Sequence, residues 1–187
     1  LGCSDAMLVS SGTAALYLAL MALDIGPGDA VLVPDFTFPA TANAVAALGA
    51  RPVLVDVDVE TYNMDPSRLS ETVQGWRGEE RLSAVMPVHE FGHPADMATI
   101  NAIAKEHGLH VVEDAACALG ADLDVRKAGT MSDLGCFSFH PRKTLTTGEG
   151  GAIVTNDREL ARRVRRLRNH GMERTADGMQ FMEPSLN

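Results

Sequence analysis

The chain has 187 residues, 45% of them hydrophobic, which suits one packed domain or a piece of a larger one and excludes a disordered chain. A net charge of −9 excludes nucleic acid as the main partner. No apolar run is long enough to span a membrane, and three widely spaced cysteines without a C-x-x-C predict free thiols in a reducing cytosol, hence a cytoplasmic protein.

In chain order, "DAMLVS" reads as a strand and "SGTAALYLALMALDI" as a helix closed by the turn "GPGD". "AVLVP" is a second strand, "TFPATANAVAALGA" a helix, and "RPVLVDVD" a third strand. Asp65 and Pro66 open a short helix over "DPSRLSETV". "LSAVMPV" is a strand, "PADMATINAIAKEHG" a helix, and "LHVVED", "DLGCFSF" and "GGAIVTN" are three more strands. "DRELARRVRRLR" carries six arginines above Leu160, Val164 and Leu167, so it forms an amphipathic helix whose basic face is solvated or meets another subunit. The tail "GMERTADGMQFMEPSLN" reads as irregular. Continuous apolar strands alternating with helices predict an α/β fold, a mostly parallel sheet covered on both faces. Such a sheet binds its ligand at the carboxyl ends of its strands.

Residues 89–93, "HEFGH", fit the H-E-x-x-H pattern of zinc proteases. That chemistry requires both histidines on one helical face. Gly92 lies inside the match, and Pro94 disfavours helical backbone at His93. The segment reads as a strand-end loop, and no metal is expected. No G-x-G-x-x-G joins a strand to a helix, no G-K-[ST] occurs, and "GEGGA" leads into a strand. Dinucleotide and triphosphate sites lose their support.

Three strand ends carry candidate chemistry. Ser11, Gly12 and Thr13 open a helix, where free N–H groups and the dipole form an anion site or a plain N-cap. Asp114 ends an apolar strand, where a carboxylate requires a partner: the next helix start, or a positive group on a ligand. Lys143 alone among three lysines follows an apolar strand and precedes a glycine-rich loop; Lys105 lies near a helix end and Lys127 in a polar loop. Amine, carboxylate and anion cradle together match pyridoxal phosphate, which takes a lysine for its aldehyde, an acid for its ring nitrogen and donors for its phosphate.

The segments "SSGTAALYLAL", "VPDFTFPATANAV", "PVHEFGHPADM", "VVEDAACALGA", "SFHPRKTLTTGEGGAIVTND" and "LRNHGM" resemble the DegT/DnrJ/EryC1/StrS aminotransferases, sugar-nucleotide enzymes of the fold-type-I pyridoxal-phosphate class. The resemblance implies a Schiff base on Lys143, a contact from Asp114 to the pyridine nitrogen, and a phosphate site at Gly12, Thr13 and the Ala14 N–H, helped by Ser138. It implies that Phe38 stacks on the cofactor ring, and it places no metal in the "HEFGHPADM" loop. One position departs: Cys117 stands where the family often has glutamine or histidine near the cofactor's 3-hydroxyl. Relatives that dehydrate sugars carry histidine in place of the lysine, and Lys143 argues against that branch. The implied activity moves an amino group from an amino acid, usually glutamate, to a nucleotide-linked keto-sugar. The alternatives are another fold-type-I enzyme, such as an amino-acid lyase, and a non-catalytic relative. Residues 1–170 would form the cofactor-binding large domain without its first segment, and 171–187 would lead to a smaller domain. The resemblance also implies a homodimer in which Asn187 reaches the phosphate of the partner subunit's cofactor.

Overall fold

Residues 1–175 and 177–185 are described by the computed structural model. In chain order the elements are β1 (Asp5–Val9), α1 (Gly12–Ala22), β2 (Asp29–Pro34), α2 (Ala40–Ala47), β3 (Arg51–Val55), α3 (Pro66–Gly75), β4 (Arg81–Val85), α4 (Met97–His107), β5 (His110–Asp114), β6 (Asp122–Leu123), β7 (Arg126–Lys127), β8 (Leu134–Ser138), β9 (Gly151–Thr155), α5 (Arg158–Leu167), β10 (Met172–Thr175) and β11 (Gly178–Phe181). Local chemistry sets the helix starts. Ser11, Asp65, Asp96 and Asp157 each accept a first-turn N–H at their helix, and Pro66 takes the first position of α3.

Seven strands form one sheet in the order β1-β9-β8-β5-β4-β2-β3. Neighbours from β8 to β3 are parallel, whereas β9 runs against both β8 and β1. The expected fold class is therefore present, with one reversed strand near an edge. All six residues of β2 are buried. Each large apolar side chain hidden this way gains about 1.5–3 kcal/mol, so the strand reads as an unbroken apolar run. Alternate side chains go to opposite faces. Val31, Val33, Val112, Leu134, Cys136 and Ile153 pack with α1, α2 and α5, while Leu32, Val85, Val111, Phe137 and Val154 pack with α3 and α4.

Three local expectations are corrected. The second helix starts at Ala40, because Pro39 holds Phe38 out of helical backbone; Thr37 and Phe38 lie in the loop before it. The tail is not irregular, since β10 and β11 pair as an antiparallel hairpin. The arginine face is largely engaged within the chain, its outermost residues apart. Arg163 meets Asp24 and Glu183, Arg166 meets Glu173 and Glu183, Arg165 meets Asp5, and Arg168 donates to the Leu8 carbonyl. Asn187 lies outside the described residues. No described helix is long and apolar enough to cross a membrane.

Candidate active site

Because β1, β2, β4, β5 and β8 all point one way, their carboxyl ends share a rim of the sheet. A cavity of about 490 Å³ opens there, within the range of small-molecule sites. Gly12, Thr13, Phe38, Asp114, Cys117, Ser138 and Lys143 all line it, so the rim brings together residues more than a hundred positions apart. A larger groove of about 1090 Å³ adjoins it along Leu8–Ser11, Tyr17, Arg165 and Arg168, but neither lysine nor carboxylate lines that groove.

Lys143 sits in the turn after β8, its N–H donating to the His140 carbonyl at 2.9 Å. The other lysines point elsewhere. Lys105 is exposed on α4, and Lys127 Nζ donates to Asp122 at 2.6 Å in the β6–β7 hairpin. Asp114 closes β5 and is 5% exposed. The Thr41 hydroxyl donates to its Oδ2 at 2.9 Å, the Ala116 N–H donates to Oδ1 at 3.1 Å, and the Thr37 hydroxyl bonds Thr41 at 2.9 Å. Burial pushes the Asp114 carboxyl above its usual range, against the pull of Thr41, the Ala116 N–H and Lys143. A cationic ligand group at this carboxylate would reverse that cost.

Strand alternation sends Glu113 to the other face, where it is fully buried and structural. It accepts from the Gly129 and Met131 N–H groups, both at 2.7 Å, from the Ser132 hydroxyl at 2.8 Å and from His89 Nε2 at 2.9 Å. His89 Nδ1 accepts the Ala95 N–H at 3.1 Å, which leaves the ring proton on Nε2, facing Glu113. Both His89 nitrogens are thus engaged, and His93 lies exposed beyond a 3₁₀ turn in which Phe91 and Gly92 adopt positive φ. The backbone here has no shared helical face to offer a zinc ion, and no metal-binding cluster occurs among the described residues.

At the start of α1, Ser11 Oγ already accepts the Ala14 N–H at 3.1 Å. The Ala14 group expected at a phosphate is therefore a capped donor that Ser11 must share or release. Gly12 is required by close approach: a Cβ there would stand 2.8 Å from Ser138 Cβ. The helix start and the end of β8 meet at that contact, which places Thr13 and Ser138 on one wall. Phe38, 69% exposed, presents its ring to the cavity.

Several polar cavity residues escaped the sequence reading, among them Thr37, Glu90, His140, Arg142 and Glu149. Glu90 lines the site, and burial, followed by the Asp114 charge, raises its carboxyl above the usual range, while the Phe91 N–H, Thr37 and Lys143 oppose the rise. In an H-E-x-x-H zinc site this glutamate would be the base; here it is a cavity wall. The cavity joins an amine, a buried carboxylate, an aromatic face and a helix N-terminus closed against Ser138, and this donor set fits pyridoxal phosphate.

A profile of the DegT/DnrJ/EryC1/StrS aminotransferase family matches residues 1–185. The chain is 51% identical over 167 residues to UDP-N-acetyl-3-dehydro-alpha-D-glucosamine 3-aminotransferase of Acidithiobacillus ferrooxidans, covering 89% of this chain and 44% of that one. It is 46% identical over 172 residues to GDP-perosamine synthase of Caulobacter vibrioides, covering 92% and 45%. Its structure superposes on an aminotransferase from Brucella abortus with a TM-score of 0.93 at 41% identity, covering all of this chain and 50% of that one. The chain thus spans about half the length of the curated relatives it matches. Over that half, the chain belongs to the DegT/DnrJ/EryC1/StrS aminotransferase family.

Proposed function

We propose that this chain is the cofactor-binding part of a pyridoxal-phosphate aminotransferase that passes an amino group from an amino acid, glutamate being the expected donor, to a nucleotide-linked keto-sugar. The observation that carries the reading is the shared cavity of Lys143, Asp114 and the α1 N-terminus. Bound pyridoxal phosphate would supply an aldehyde for the amine and a ring able to accept electrons. Asp114 would accept a hydrogen bond from the ring nitrogen and keep its proton in place, with Thr41 and Ala116 fixing the carboxylate. Thr13, Ser138 and the first-turn N–H groups of α1 would hold the phosphate. Phe38 would cover one ring face and exclude water from it. Lys143 would hold the cofactor through its amine and, with that amine free, would move the proton at the substrate carbon.

The substrate class follows the UDP- and GDP-linked sugars in the relatives' names, and the three free cysteines suit a cytosolic enzyme. In the full-length protein we place the sites at a homodimer interface, each completed by Asn187 of the partner subunit. The test is an assay of the full-length enzyme, which should convert glutamate to 2-oxoglutarate beyond one equivalent per site only when a nucleotide keto-sugar is supplied. Release of ammonia or carbon dioxide from an amino acid without any sugar acceptor would assign the site to a lyase.

A further inference from the structure

The three cysteines have unlike surroundings. Cys136 is 1% exposed on β8, and burial holds its thiol well above the usual range. Cys3 is half-buried against the core on the α3–α4 side. Cys117 is exposed in the cavity, and Lys143 Nζ donates to its Sγ at 3.1 Å. A fixed turn presents this sulfur: the Ala118 N–H donates to the Ala115 carbonyl at 3.0 Å, and the Ala116 N–H is tied to Asp114. Gly92 packs beneath it so closely that a Cβ there would stand 3.1 Å from the Cys117 carbonyl oxygen. The lysine stem is long and flexible, so the amine can close on the sulfur without backbone movement.

We propose that Cys117 and Lys143 form a reversible redox lock: hydrogen peroxide joins their side chains through a sulfur–nitrogen bond, a sulfenamide, whenever the amine is not occupied by cofactor. The inference rests on the reading above only in making Lys143 the cofactor amine; the bond itself requires just the observed contact. In the first step the Cys117 sulfur attacks peroxide, an S–O bond forms, the O–O bond breaks and one water leaves. Sulfur loses two electrons and the peroxide gains them, leaving a sulfenic acid. In the second step the neutral Lys143 amine attacks that sulfur. The N–S bond forms, the S–O bond breaks, and the hydroxyl departs with one amine proton as a second water. The protein has then lost two hydrogens and gained no oxygen. Two equivalents of a small thiol reverse the lock: the first takes the sulfur into a mixed disulfide and frees the amine, and the second frees Cys117 as a disulfide of the small thiol departs. Because the amine consumed is the one that would hold the cofactor, the lock blocks reloading, and bound cofactor protects against it.

The test treats full-length enzyme with hydrogen peroxide, both as purified and after an amino donor and dialysis have removed the cofactor. Intact mass, peptide mapping and recovery of visible absorbance on adding pyridoxal phosphate are read together. The cofactor-free protein should lose the mass of two hydrogens and yield one linked peptide pair holding Cys117 and Lys143. It should regain visible absorbance only after dithiothreitol. Cys117→Ser should show neither the loss of two hydrogens nor the linked pair, and its response to pyridoxal phosphate should not depend on dithiothreitol. Oxygen added at Cys117 with Lys143 unmodified, or a disulfide to another cysteine, would overturn the lock. A linked pair in a protein whose cofactor labels a different lysine would uphold the bond and refute the reading of the site. Normal labelling of Lys143 without any linked pair would do the reverse.

Discussion

Glu113 and Asp114 are neighbours of the same type, and the strand that carries both gives them opposite tasks. Glu113 holds a buried network of four donors, whereas Asp114 faces the cavity with two. Glu113→Gln turns an acceptor into a donor among donors. Such a change costs about 1–3 kcal/mol for each buried group left unpaired, so the melting temperature should fall clearly. Asp114→Asn should act in the other direction. The Thr41 hydroxyl can turn to accept from the new amide, and the buried charge disappears. The folded carboxyl is raised, so its stabilising proton is fully held below the ordinary value of 3.8 and is lost as pH rises through the folded value. Cofactor-free Asp114→Asn should therefore melt higher than wild type at pH 7–8, by about 2–4 °C for each kcal/mol relieved, with the gain vanishing in acid, while transamination is nearly abolished. A lower melting point at neutral pH, read by calorimetry, would contradict the account. At this scale the sequence was informative where one residue type was scarce. Lys143 stood out among three lysines, and strand alternation separated the two carboxylates. Glu90 was hidden because its side-chain direction depends on a turn with positive φ at Phe91 and Gly92, which no periodicity announces.

At the scale of elements, the anion cradle depends on how closely α1 approaches β8. Gly12→Ala introduces a methyl 2.8 Å from Ser138 Cβ, and the two elements must part. Overpacking of this kind costs about 1–3 kcal/mol. Cofactor affinity, measured by absorbance titration, should fall about tenfold or more while the protein remains folded; unchanged affinity would remove the cradle from this junction. A second junction ties β5 to the start of β8. The Asp133 carboxylate accepts the Val111 N–H at 2.9 Å and faces His110 Nδ1 at 3.4 Å. Asp133 raises the His110 pKa above 6.5, against desolvation and Arg81. Its stabilising effect is thus complete below pH 6.5 and is lost as pH rises through the folded value. Burial opposes ionisation of Asp133, but His110 and the Val111 N–H hold its carboxyl below 3.8, so its share is lost only as pH falls through that lowered value. Both side chains are well exposed, and the pair is worth under about 1 kcal/mol. His110→Ala should lower the melting point more at pH 5.5 than at pH 8.5, and an equal drop at both would contradict the pairing. Helix starts were legible at Ser11 and at Asp65 with Pro66, whereas the Asp96 cap was not, since the sequence reads as helical from Pro94. The β10–β11 hairpin was not, because "MERT" and "GMQF" have little apolar alternation; β11 is exposed throughout, and the Arg166–Glu173 and Glu183 contacts tie the tail to α5.

For the whole molecule, the continuous apolar strands were sufficient to predict a parallel sheet with its site at the carboxyl rim. The reversal of β9 was not legible, since a buried antiparallel strand has the same apolar pattern. The proposed dimer belongs to this scale. Lys143→Ala and Asn187→Ala full-length chains, each nearly inactive alone, should regain activity when mixed, because one hybrid site then holds both intact residues. Heterodimers that form without recovering activity would assign Asn187 to its own subunit or to no site. The central claim is that Lys143 is the cofactor-bearing amine in a site completed by Asp114. Borohydride reduction of the full-length enzyme, followed by peptide mapping, tests it most directly. Visible absorbance should disappear, and the reduced cofactor should be found on the peptide containing Lys143. Cofactor fixed to Lys105 or Lys127, or none fixed to any lysine, would contradict it.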